Sequence, residues 1–73
     1  MDPATLRALA DELVAEAVRA EQAADALKGG PASIAGLVVA EQYEAVAAAK
    51  RQTAAEYWSR AEQARTAKAR TNG

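Results

Sequence analysis

The sequence predicts an all-α fold: an antiparallel two-helix hairpin with a longer second helix, completing a four-helix bundle by dimerisation or by docking on a partner. Three observations predict it. Alanine fills 22 of the 73 positions and phenylalanine none, which combines high helix propensity with few side chains large enough to build a thick core. Apolar residues recur at three- and four-residue intervals in both halves of the chain, the period of a helix face. Helix breakers cluster at one internal place, Gly29-Gly30-Pro31.

Helix 1 is expected over about residues 3–28. Asp2 is a suitable N-cap, and Pro3 suits the first helical position, where its missing N–H would be unpaired anyway. Leu6, Leu9, Leu13, Ala17, Ala20, Ala24 and Leu27 share one face, with Val14 and Val18 on a shoulder beside it. Together they cover more of the circumference than one neighbouring helix can bury. The turn, 29–32, is expected to stop the helix with a left-handed glycine cap followed by proline.

Helix 2 is expected over about residues 33–70, with Ser33 as its N-cap and Gly36 in its first turn. No glycine or proline follows until Gly73. Its main stripe is Ala35, Val39, Tyr43, Val46, Thr53, Ala54, Tyr57, Ala61 and Ala64, flanked by Ala45 and Ala49. At about 1.5 Å per residue helix 2 outruns helix 1 by ~16 Å. If the chain doubles straight back, Lys28 faces Ser33, Pro3 faces Trp58, and everything beyond Arg60 overhangs. The whole chain, 1–73, reads as one hairpin domain with no internal repeat.

A chain of this size buries only about 60% of its unfolded surface, so small scaffolds add a staple or a partner. Cysteine and histidine are both absent, so a disulfide and the usual structural zinc sites are excluded. The remaining route is association, with self or with another protein. The candidate interface is Val14, Val18, Ala45, Ala49 and Trp58; tryptophan is a favoured anchor in interfaces, and the equal alternative for Trp58 is to cap the hairpin end over the first turn of helix 1, around Leu6.

Charge adds little to this. The net is −1, with six acids and three bases in residues 1–40 and four acids and six bases in residues 41–73. The bases Lys50, Arg51, Arg60, Arg65, Lys68 and Arg70 form the candidate contact set of an alternative function, a small nucleic-acid-binding regulator. Glu56 and Glu62 interrupt that set, and bases near a helix C-terminus also complement the helix dipole. Lys50 is the misfit of the helix 2 stripe. A lysine stem that packs while its head reaches Glu12 or Glu16 accounts for it better than a nucleophile of lowered pKa.

Catalysis is not expected. Ser33 and Ser59 have no histidine to activate them. Asp11, Glu12 and Glu16 lack the histidines of a carboxylate-bridged metal centre, and Gly29-Gly30 opens onto proline rather than a phosphate-binding loop. No cofactor, metal or small-molecule substrate is expected. No apolar run reaches the ~20 residues of a bilayer span, and Met1-Asp2-Pro3 is unlike a secretory leader. The expected setting is the cytoplasm or a particle assembled inside a cell. Six arginines against three lysines, with the alanine bias, fit a small bacterial or phage protein. The expected function is a non-enzymatic interaction or assembly module: an adaptor, an inhibitor or a minor structural component.

Overall fold

A computed structural model describes residues 2–30 and 33–72, with side-chain surroundings described through residue 67. Two helices account for nearly all of it. Helix α1 runs Pro3–Gly29 and helix α2 runs Ile34–Asn72, packed against each other as a hairpin. Helix α2 is continuous through Lys50, Arg51 and Gln52. No strand occurs among the described residues, and no helix there is long and apolar enough to cross a membrane.

The helix ends follow local chemistry, with two departures from expectation. Asp2 occupies the N-cap of α1 with extended backbone, and Pro3 follows at the first helical position. The Asp2 side chain makes no capping bond; only its carbonyl is used, accepting from Leu6 N at 3.0 Å. At the other end α1 takes in Gly29, and no left-handed glycine caps it. Gly30 is extended (φ −86°, ψ −173°) and no described glycine has positive φ. Pro31 explains this, because a residue preceding proline is pushed out of the helical region towards extended backbone. Ser33 caps α2 as expected: its Oγ accepts from Gly36 N at 3.0 Å. A Cβ on Gly36 would come within 2.9 Å of that oxygen, so the glycine leaves room for the cap.

The seam between the helices is made of alanine. The buried residues are Leu6, Ala10, Ala17 and Ala24 on α1 and Ala40, Ala47, Ala54 and Ala61 on α2. On each helix the alanines recur every seven residues, the repeat of a coiled-coil seam. Side chains this small let two backbones approach closely, but they bury little area each. Leu6, Ala17, Ala24, Ala54 and Ala61 belong to the stripes expected from sequence, Ala10, Ala40 and Ala47 do not, and those stripes also carried leucine, valine and tyrosine. Those larger side chains stand beside the seam instead.

The register also differs from a straight doubling back. Lys28 pairs with Glu44 rather than facing Ser33, Glu21 with Arg51, Glu16 with Lys50, and Arg7 with Glu62. Helix α2 is therefore displaced by about two turns relative to the expected alignment. Its first turns project past the end of α1, leaving Ile34 84%, Leu37 49% and Val38 48% exposed. At the open end Ala61 is fully buried, so the two helices stay in contact beyond Arg60, where the overhang was expected to begin.

The result is a rod of 60 × 15 × 13 Å. Its radius of gyration is 17.1 Å, against about 11 Å for a compact domain of this length. A single pair of helices has no interior beyond its seam.

Candidate functional site

Helical geometry sorts the residues flanking the seam onto two sides of the rod, and the two sides differ in chemistry. On one side lie Arg7, Val14, Glu21 and Lys28 of α1, opposite Glu44, Arg51, Trp58 and Arg65 of α2. Each set repeats every seven residues, in step with its alanines. This side is laced with charge. Arg51 donates to Glu21 from Nε at 3.0 Å and from Nη2 at 2.6 Å, a two-pronged pairing that suits a guanidinium. Lys28 meets Glu44. Glu62 accepts from Arg7 at 3.2 Å and from Arg65 at 2.8 Å. The Arg7 guanidinium also lies over the Trp58 ring, 5.9 Å from its centroid, and its covered Nε has no acceptor.

These contacts move the titrations of the paired groups. The hydrogen bond from Arg51 holds the Glu21 carboxyl below its usual range, and the same bond with the attraction of Glu21 raises Arg51. Lys28 is raised by its bond to Glu44.

The opposite side is apolar. Leu9 and Leu13 of α1 line a shallow groove with Thr53 and Tyr57 of α2, bordered by Glu12 and Glu16. Nearer the turn, Val39, Gln42, Tyr43 and Val46 line a second open groove. Leu27 belongs to the same side. Leu27, Val39, Tyr43 and Val46 remain 36–45% exposed. Thr53 lines this groove with its hydroxyl occupied, donating to the Ala49 carbonyl at 3.1 Å. The charged pair on this side is Lys50 to Glu16, at 2.6 Å with each side chain 33% exposed. The bond and charge of Lys50 lower the Glu16 carboxyl. Lys50 therefore lies alongside the seam with its head on a carboxylate, as its place in the stripe suggested.

The five interface candidates taken from sequence are not brought to one surface. Val14, Val18 and Trp58 fall on the charged side, with Trp58 beneath Arg7 next to the first turn of α1. Ala45 and Ala49 are exposed on the outward back of α2. The apolar side is made instead of residues that sequence reasoning assigned to the core stripes, in two grooves with Glu16 and Lys50 between them. The signal that could have found it is the alanine repeat, since residues every seven along both helices fix which side chains are left at the margin.

The nucleic-acid candidates are likewise dispersed. Lys50, Arg51 and Arg65 are each paired with a carboxylate. Arg60 lies over the Tyr57 ring, 5.9 Å from its centroid. Lys68 and Arg70 lie outside the described side chains. Among the described residues no cluster of acids could hold a metal ion. Comparison with protein-family models, curated proteins and solved structures returns no match.

Proposed function

We propose that the chain is a non-enzymatic protein–protein interaction or assembly module. It acts through the apolar face of the hairpin, which docks another pair of helices to complete a four-helix bundle. The observation that carries this reading is where the large side chains are. Among the described residues Leu6 is the one buried residue bigger than alanine, while Leu9, Leu13, Leu27, Val39, Tyr43, Val46 and Tyr57 gather beside the seam on one side. A bundle of four helices has its core where those residues stand.

Surface area points the same way. The chain exposes 5175 Å², whereas a compact monomer of 7.6 kDa exposes about 4,300 Å². The excess, roughly 900 Å², matches the ~800 Å² that each partner contributes to a standard interface. A rod 15 by 13 Å in section offers open grooves rather than the enclosed cavity that small-molecule chemistry uses. Lys50, Arg51 and Arg65 are tied to carboxylates within the hairpin, which supports protein over nucleic acid as the partner.

The test compares the wild type with Leu13→Asp/Val46→Asp. Both chains are immobilised, and captured proteins, this chain included, are quantified by mass spectrometry. Circular dichroism checks that the variant remains helical. The expected result is a helical variant that loses what the wild type captures. An unchanged set of captured proteins would overturn the reading.

A further inference from the structure

The apolar face has a charge arrangement that fits one occupant, and we infer that this occupant is a second copy of the same chain. The inference rests on the docking reading above. Glu16 is the central residue of α1, which spans Pro3–Gly29, and its partner Lys50 stands beside it across the seam. The pair thus marks the midpoint of the face, with Leu9, Leu13 and Tyr57 on one side of it and Val39, Tyr43 and Val46 on the other.

A two-fold axis running along the rod lays α1 of each copy over α2 of the other. Each Glu16 then faces the partner's Lys50, and the four charges alternate in sign. A partner with a uniformly apolar face would instead bury both charges without adding any counter-charge, which is costly. The same stacking brings Glu12 towards the partner's Glu56 at the rim. Both remain in water there, where repulsion between charges is weak. A net charge of −1 per chain gives little long-range repulsion between copies. The area is also sufficient: the roughly 900 Å² by which the chain's 5175 Å² of surface exceeds that of a compact monomer is about what each half of a stable dimer buries.

The expected product is a dimer in which the pair acts as an orientation lock. Sedimentation equilibrium at neutral pH tests it with four chains: wild type, Glu16→Lys, Lys50→Glu, and the double exchange Glu16→Lys/Lys50→Glu. The wild type and the double exchange are expected to be dimers at micromolar concentration. Each single variant places four like charges at the centre of the interface, so its dimer should weaken at least tenfold. Mixing the two single variants restores opposite charges between chains, and a heterodimer should form.

Circular dichroism separates loss of association from loss of fold, and the double exchange retains the pair within the chain. Single variants that dimerise as well as the wild type, or that stay monomeric when mixed, would overturn the charge lock. A wild type that is monomeric at 100 μM would overturn the second copy. It would leave the docking face to be judged by the capture comparison with Leu13→Asp/Val46→Asp.

Discussion

At the scale of single residues, small size is what the seam depends on. Ala47 is 1% exposed and stands between the backbones, so a larger side chain there has to push the helices apart. Ala47→Leu is expected to cost about 1–3 kcal/mol, the usual penalty of overpacking, although leucine is the better core former elsewhere. Its neighbour Ala48 is exposed, and Ala48→Leu should change stability by no more than ~0.5 kcal/mol. Urea unfolding of the two variants checks this. Equal stability would show that the seam has slack. Sequence alone placed Ala17, Ala24, Ala54 and Ala61 in the helix stripes but ranked no position above another and left Ala47 out. The hydrophobic scale that drives such a reading measures transfer from water and is blind to how closely two backbones can approach.

The helices themselves were the most legible part. Pro3 opens α1, Gly29 to Pro31 end it, and Ser33 caps α2, each by a backbone or capping rule that acts locally. What was not legible was the alignment of one helix on the other, and with it the face left uncovered. Alignment is decided by contacts between residues far apart in the chain, and a turn rule cannot supply them. Cross-helix ion pairs carry part of that information, and they make the hairpin sensitive to acid. Glu16 and Glu21 are both held below the ordinary carboxylate value of 4.5 by their basic partners. A carboxyl depressed in the folded state contributes stability that is fully present above that ordinary value and is lost as pH falls through the folded one. Thermal melting should therefore be flat near neutrality and fall in temperature below about pH 4.5. In Glu21→Gln the acid-dependent part should shrink. A melting temperature unchanged from pH 7 to pH 3 would mean that the pairs contribute nothing.

For the whole molecule, shape follows from composition. A chain made largely of alanine helices cannot thicken into a globule, because its inward side chains fill too little volume, so it becomes a rod. The rod keeps its surface asymmetric, one side charged and one side apolar, because the flanking positions repeat in step with the seam. The side on which a partner is proposed to dock is thus a consequence of a single seven-residue repeat.

That repeat also makes the hairpin resemble a ratchet with identical teeth. Sliding α2 along α1 by seven residues drops alanine onto alanine again, so the packing alone scarcely distinguishes the two notches. The charges do. In the slipped notch, the one a tight turn would favour, Glu21 meets Glu44 in place of Arg51, and Lys28 meets Leu37 in place of Glu44. A second resting position, held off by electrostatics, is therefore expected of this rod. Glu44→Lys/Arg51→Glu moves the attraction to the other notch and should slide the helices with little loss of helix content. Disulfide trapping of cysteine pairs specific to each notch would report the slip. If only the original notch is trapped in that variant, the connection between the helices, and not their charges, sets the alignment.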